Sequence, residues 1–344
     1  CTHIGYEVYT QVLTYNKGYL LGNFSSHQLR VDLQNNTAEV ELILEPGPRY
    51  RIGEISFSDS KYDREFLSRF KDFIAGDYYD ADLLSEFRQR LVDSRLFNSV
   101  GLIELDPDHQ ARLIPIEVSL TDKARFVTSL GAGISTDTGP RASVGFANNR
   151  VNQKGNRLEF NSAMSSVENS VDLAYQIPLN NPALERATIR SGWLNEDTGT
   201  TESDIWYLGA SRSKAQRGGW LQTLDLTYQY EADSLGSESS LLIPSVSWIK
   251  SQSDDLIFPR QGYRLQYNIR VAHQSLLSDL DFAQFSTSAK RIDRLGPGRA
   301  ISRLDLGATL LQEDSPLPTS IGFFAGGDNS IRGYDYKELG VLDE

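Results

Sequence analysis

The stretch that decides the fold reads GWLQTLDLTYQYE and spans residues 219–231. Its larger apolar side chains stand on one face: Trp220, Leu224, Leu226, Tyr228 and Tyr230. Polar side chains stand on the other: Thr223, Asp225, Thr227, Gln229 and Glu231. Alternation with a period of two is the pattern of a β-strand that lies between an apolar and a polar environment.

The same alternation recurs along the second part of the chain. Turn residues divide this part into eleven segments of strand length: 125–135, 140–148, 156–165, 168–177, 185–195, 202–213, 219–231, 239–252, 262–273, 279–291 and 300–311. Segments of this length suit strands that cross a membrane at a tilt. They predict an antiparallel transmembrane β-barrel, apolar outside and wet inside. Because an open sheet edge cannot face lipid, we expect this sequence to be a fragment whose closing strands are missing.

Composition agrees with a barrel and excludes other classes. The 344 residues carry a formal net charge of -12, which argues against a nucleic-acid partner because phosphate neutralisation needs a basic face. Only 39% of residues are hydrophobic, yet there are 16 Tyr and 15 Phe, as expected for aromatic girdles around a wet interior. No run of eighteen apolar residues occurs, so no transmembrane helix is predicted.

The first 122 residues follow a different pattern. From about residue 49 to 120, the order strand, helix, helix, strand, strand predicts an α+β unit with two helices on a small sheet. The helices are predicted to begin after the N-cap candidates Asp63 and Asp80. Upstream, a helix near 6–13 and strands at 30–33 and 38–44 repeat the back half of this pattern.

A second informative stretch, FFAGGDNSIRGY, spans residues 323–334. Gly326, Gly327 and Gly333 permit backbone angles and close approaches that a Cβ would forbid. Arg332 offers a planar fork of donors that suits carboxylates and aromatic faces. We expect this loop to fold back into an enclosed site and to hold one cation at a fixed point. The alternative is a glycine-rich surface loop with a solvated arginine.

These motifs resemble those of the BamA/TamA superfamily, outer-membrane assembly factors with periplasmic POTRA domains and a C-terminal barrel, and most closely its TamA branch. The matching motifs are Lys17-Gly18-Tyr19, Gly47-Pro48-Arg49-Tyr50, Leu96-Phe97-Asn98-Ser99-Val100, the run 131–141 and Arg332-Gly333-Tyr334. The resemblance implies the C-terminal part of one POTRA domain at 1–47 and a second POTRA domain (β-α-α-β-β) at 48–122. Residues 123–344 would then hold about eleven of sixteen barrel strands, with loop six at 312–344.

The resemblance also implies two functional regions. The loop-six motif would comprise Gly326, Gly327, Asp328, Ile331, Arg332, Gly333 and Tyr334. The first strand of a lateral seam would carry Phe126, Leu130, Gly131, Gly133 and Ile134. Interior glycines weaken a strand, so the seam could open or pair with an incoming client strand. A bulge or barrel corner at the two glycines is the alternative.

The function implied is membrane insertion or secretion without bond chemistry, in the outer membrane of a Gram-negative bacterium with the POTRA domains in the periplasm. The expected partners are outer-membrane clients such as autotransporters, membrane lipid and a TamB-like periplasm-spanning protein; no cofactor or metal is expected. A two-partner-secretion-type export pore is the alternative, and the upstream α+β unit disfavours a passive porin. An enzyme is disfavoured, because no Gly-x-Ser-x-Gly motif occurs and the four histidines are scattered.

Overall fold

The computed structural model describes residues 12–32, 34–35, 37–135, 138–197, 202–234, 236–255, 257–311, 317–327, 330–331 and 333–340. The chain divides into two units, Cys1–Lys123 and Ala124–Glu344. No helix within the described ranges is both long and apolar enough to cross a membrane.

In the first unit residues 12–16 are helical, and an antiparallel pair follows, β1 (Asn23–Asp32) and β2 (Thr37–Glu45). The elements that follow are β3 (Arg51–Ser58), α1 (Arg64–Ser68), α2 (Ala81–Asp93), β4 (Phe97–Glu104) and β5 (Leu113–Asp122). In their sheet β3 runs parallel to the central β5, and β4 runs antiparallel to it. The order strand, helix, helix, strand, strand is therefore the order expected from the sequence.

Alternation and helical spacing build the core of this sheet and its helices. Every second residue of β5 is buried from Ile114 to Leu120, and α2 buries Leu84, Phe87 and Leu91 against the sheet. The predicted cap at Asp80 is present, since its carboxylate accepts a 3.0 Å hydrogen bond from the amide of Asp82. The side chain of Asp63 makes no such bond to α1.

The start of β1 differs from the expectation. The strand begins at Asn23 rather than near residue 30, and it pairs with β2 through a register shift between Phe24 and Ser26. Residues 23–28 are mostly polar, so the period of two is not visible there. Pairing with β2 rather than apolar alternation therefore holds the early part of this strand.

Residues 12–22 are fixed to the α+β elements by one cluster of bonds. The Nζ of Lys17 lies 2.9 Å from carboxylate oxygens of both Asp80 and Asp82, and the amide of Tyr50 donates to the carbonyl of Gly18 at 2.8 Å. Burial opposes ionisation of Asp80, but the bonds from Lys17 and from its own helix outweigh it and lower the pKa of that carboxyl. The first turn of α2 is thus tied to the segment upstream of β3.

The second unit is one sheet of eleven strands, each paired antiparallel with the next along the chain. The strands are β6 (Phe126–Ser135), β7 (Gly139–Asn148), β8 (Arg157–Met164), β9 (Glu168–Pro178), β10 (Glu185–Asp197), β11 (Glu202–Ala215), β12 (Trp220–Asp233), β13 (Glu238–Ser253), β14 (Gly262–Ala272), β15 (Phe282–Leu295) and β16 (Gly298–Leu311). The eleven predicted segments are confirmed as strands. Within the described residues β6 and β16 are the two edges, and the sheet is not closed.

The two faces of this sheet differ as predicted. One face, here called the apolar face, exposes a row of large hydrophobic side chains that are neighbours across strands; examples are Leu208 beside Tyr228 and Ile269 beside Phe285. The opposite, polar face carries hydrogen-bonded networks, such as Arg190 Nη2 at 3.1 Å from Asp225 and 2.8 Å from Thr227 Oγ1. A contiguous exposed apolar surface of this extent indicates contact with lipid.

Candidate functional site

The first edge strand, β6, has a strand partner on one side only among the described residues. Its ten residues pair with β7 from Phe126 opposite Asn148 to Ser135 opposite Gly139, without a register shift. Leu130 and Ile134 stand on the apolar face with 81% and 86% exposure. The alternative of a bulge at the glycines is therefore wrong for the pairing with β7, because that ladder is uninterrupted.

Gly131 and Gly133 stand on the polar face of β6, directly opposite Ser143 and Arg141 of β7. A Cβ added at Gly131 would lie 2.5 Å from Ser143 Oγ. A Cβ added at Gly133 would lie 3.1 Å from Arg141 Nε. Side chains of the second strand thus lie over the backbone of the first, in space that the two glycines leave free.

Residues 317–321, here called the loop base, follow β16 and lie against the polar face of the sheet. The Ser320 amide donates to Glu231 Oε1 at 3.2 Å, the Ser320 hydroxyl also donates to that carboxylate, and Gln229 donates to the hydroxyl at 2.5 Å. The carbonyl of Ile321 accepts a 2.8 Å hydrogen bond from Gln284 Nε2. Two strands, β12 and β15, thereby bind the loop base on the polar face.

An apolar cluster under this segment departs from the predicted wet lining. Leu241 and Ile243 of β13 pack with Phe282 and with Ile321 of the loop base, and all four are buried. The run Leu241-Leu242-Ile243 places apolar side chains on both faces of β13. The polar face is therefore dry where the loop base sits on it.

The glycines of the loop-six motif adopt the backbone angles for which they were singled out. Gly326, Gly327 and Gly333 have φ values of +125°, +87° and +101°. A Cβ on Gly326 would also collide with the carbonyl of Asp335. Ala325 and Leu339 exchange two backbone hydrogen bonds of 2.7 and 2.9 Å, which close the loop.

Of the four other predicted residues of the motif, the structure describes two. Ile331 and Tyr334 are exposed. Asp328 and Arg332 lie outside the described residues. The role of Arg332 as a fixed cation inside an enclosed site therefore stays a prediction.

A second basic residue of the same loop, Lys337, contacts the polar face of the sheet. Lys337 Nζ lies 2.7 Å from both carboxylate oxygens of Glu196 in β10, and the Tyr336 hydroxyl donates to Oε1 at 3.3 Å. The Glu196 side chain is only 3% exposed, and that of Lys337 is 29% exposed. The sequence offered no local signal for this pair, because its members are 141 residues apart.

The seam strand and the loop meet at one cavity of about 450 Å³ on the polar face. Gly131 of β6, Arg141 and Ser143 of β7, Glu168 of β9 and Tyr336 of the loop all line it. Tyr336 lies two residues beyond the predicted loop-six motif, so the juxtaposition of the motif itself with the first strand stays a prediction. Within the described ranges, no three His, Cys, Asp or Glu side chains are grouped as metal ligands.

Comparisons with known proteins agree with this architecture. Residues 121–344 match the family model of the Omp85 superfamily domain. BamA from Haemophilus ducreyi lacking POTRA domains 1–3 aligns with a TM-score of 0.74 at 15% identity, over 96% of this chain and 68% of that one. CdiB from Acinetobacter baumannii aligns with a TM-score of 0.57 at 15% identity and CdiB from Escherichia coli with 0.59 at 13%, each over 96% of this chain.

The chain spans 64% and 65% of the two CdiB chains, so it covers somewhat less than two thirds of their length. The family match covers more than half of the 344 residues and the whole eleven-stranded sheet. This chain belongs to the Omp85 superfamily, whose BamA-like barrels are outer-membrane proteins.

Proposed function

We propose that this chain is the periplasmic and seam-bearing part of an outer-membrane assembly factor that passes client strands through its barrel wall at β6. The observation that carries the proposal is the state of β6 itself. It has a lipid-facing apolar side, two glycines on the other side, and an edge with no partner among the described residues.

An unpaired strand edge such as that of β6 is energetically costly inside a membrane. Every backbone amide and carbonyl in the hydrocarbon region needs a hydrogen-bond partner, and an unpaired strand edge is a template for another strand. A client strand that adds to β6 would pair the free edge of β6 with one edge of its own, in the manner of β-augmentation. Membrane lipid is the medium that enforces this pairing.

The upstream elements support the rest of the assignment. The β3-α1-α2-β4-β5 unit, with strand order β3-β5-β4, is in our proposal the POTRA domain next to the barrel, and β1–β2 belongs to the preceding one. We assign the chain to the TamA branch because of the stretch 323–334, and we infer a TamB-like partner and autotransporter clients from that assignment. No bond chemistry is proposed.

An export pore of the two-partner type is the second candidate, because CdiB shares the architecture. We rank it second, since the fit to BamA has the higher TM-score. A passive porin would have no use for the upstream α+β unit.

The test is site-specific photocrosslinking in the full-length protein during client assembly. A photoreactive residue at Ala132, on the apolar face of β6, should crosslink to the client. The same residue at Ala210, on the apolar face of the internal strand β11, should not, because β10 and β12 already occupy both of its edges. Equal crosslinking at the two alanines, or none at Ala132, would refute a seam at β6.

The glycines provide a second test. Gly131→Ala adds a methyl group opposite Ser143, whose hydroxyl can rotate away, and it raises the strand propensity of the edge by about 0.5–1 kcal/mol. Gly145→Ala in β7 is the control in a strand paired on both sides: its Cβ would meet Ser129 Oγ at the same 2.5 Å and also lie 3.0 Å from Asn161 Oδ1, so it is sterically at least as demanding. We expect slower client assembly from the first variant only. Equal rates in both variants would count against a weakened edge.

A further inference from the structure

One arginine next to the seam is placed to reach past the edge of the sheet. Arg141 belongs to β7, yet its Nε lies 3.1 Å and its Nη2 3.7 Å from the position of a Cβ on Gly133 in β6. The side chain therefore leans across the first strand toward the open edge. It can do so because Gly133 carries no side chain.

Nothing among the described residues accounts for this orientation. No described residue forms a hydrogen bond or ion pair with Arg141. Glu168 lines the same cavity, but it belongs to β9, two strands away in the opposite direction. Neighbouring strands are about 4.8 Å apart, so Arg141 leans away from this carboxylate by roughly one strand. Beside it, the Ser143 hydroxyl lies over Gly131 in the same manner.

The reach of Arg141 matches the position of a strand added to β6. Such a strand would lie about 4.8 Å beyond β6, with its side chains about 5 Å from those directly opposite. A carboxylate on its polar face, opposite Gly133, would come to lie beside the guanidinium. Guanidinium and carboxylate form a charge-assisted and frequently bidentate pair.

We propose that Arg141 reads the incoming client strand across Gly133 and selects one that carries an aspartate or glutamate on its polar face. This inference rests on the proposed function and specifies which strands the seam accepts. Because Gly133 has no side chain, the Arg141 side chain of β7 can extend across β6 to the client strand.

The test uses the full-length protein in proteoliposomes with a photoreactive residue at Ala132. The probes are ten-residue strand peptides of alternating apolar and Ser/Thr residues, with one aspartate, asparagine or lysine at the same position of the polar face. We expect the aspartate peptide to crosslink at least about tenfold more efficiently than the lysine peptide, the ratio that one charge-assisted hydrogen bond provides.

Variants distinguish recognition of the client carboxylate by Arg141 from a general defect in folding. Arg141→Ala should make the aspartate and asparagine peptides equivalent, Arg141→Lys should retain part of the preference, and Arg141→Glu should favour the lysine peptide. Gly133→Val should abolish the preference by displacing Arg141, and its combination with Arg141→Ala should add nothing. Arg264→Ala, which removes an exposed arginine from the polar face of β14, is the matched control and should behave like the unmodified protein.

The outcomes distinguish this inference from the proposed function. An unchanged aspartate preference in Arg141→Ala would overturn the inference and leave the seam intact. Arg141→Ala that changes the conductance of the peptide-free barrel but not peptide selection would also overturn it, because the arginine would then serve the barrel's own closing strand. Failure of every peptide to crosslink to the unmodified protein would overturn the proposed function itself.

Discussion

Replacement of Lys337 by methionine should release the loop from the barrel wall. The substitution keeps the length of the side chain and the backbone strain at φ +54°, and it removes only the ammonium group that lies 2.7 Å from Glu196. The carboxylate, 3% exposed, would retain the 3.3 Å bond from Tyr336 but no cation from the described part of the chain. Removal of one partner from a buried ion pair costs about 3–5 kcal/mol.

The magnitude is smaller here because the Lys337 side chain is 29% exposed. We expect a cost of about 2 kcal/mol, which is roughly a 30-fold change in the opening equilibrium. Hydrogen exchange measured by mass spectrometry in the full-length protein would report this as faster exchange at the amides of Ala325 and Leu339. The Ala325 amide donates to the Leu339 carbonyl, and the Leu339 amide donates to the Ala325 carbonyl. These two bonds close the loop that contains Lys337.

Two further variants make the measurement decisive. Lys337→Met combined with Glu196→Gln removes both charges, so it should exchange more slowly than the single variant. Arg291→Met breaks an exposed pair with Asp293, whose side chains are 71% and 49% exposed, and it should cost less than about 1 kcal/mol. Exchange in Lys337→Met that equals exchange in Arg291→Met would refute the reasoning, as would a double variant as fast as the single one.

Two other predictions concern the loop base and the first unit. Ser320→Ala removes a hydroxyl donor from the buried Glu231 carboxylate and should weaken docking of the loop base by about 1–3 kcal/mol, seen as faster exchange there; an unchanged rate would contradict it. Folding lowers the pKa of Asp80 below its ordinary 3.8, so its bond to Lys17 stabilises the fold above that pH and is lost as the pH falls through the lower folded value. Residues 12–22 should lose exchange protection in that acidic range, and Lys17→Met should flatten the pH dependence; a variant as pH-sensitive as the unmodified protein would exclude this link.

The strands could be predicted because lipid and water impose different chemistry on the two faces of one sheet. In β12, Leu224, Leu226 and Tyr228 alternate with Asp225 and Thr227, and a shift of one residue would exchange the faces. The period of two is therefore forced along each strand. Eleven strands followed from this signal together with the turn residues that divide the segments.

The remaining features depend on contacts that leave no local pattern. The start of β1 is held by pairing with β2, and the dry patch at Leu241 and Ile243 requires knowledge of where Ile321 comes to rest. The ion pair between Lys337 and the Glu196 carboxylate joins the loop to a strand far upstream in the sequence. Such long-range partners are decided by how the whole sheet brings distant strands and the loop together.

Strand length varies in a way that bears on the surrounding bilayer. β8 has 8 residues and β6 has 10, whereas β13 has 16. At about 3.4 Å per residue and a tilt of roughly 40°, β8 rises only about 21 Å, less than the ~25 Å apolar band of an ordinary barrel. Acyl chains beside this strand must shorten to match it, at a fraction of a kcal/mol per Å. Under the proposed function, this thinner zone of the bilayer would lie two strands from β6, the strand that accepts the client.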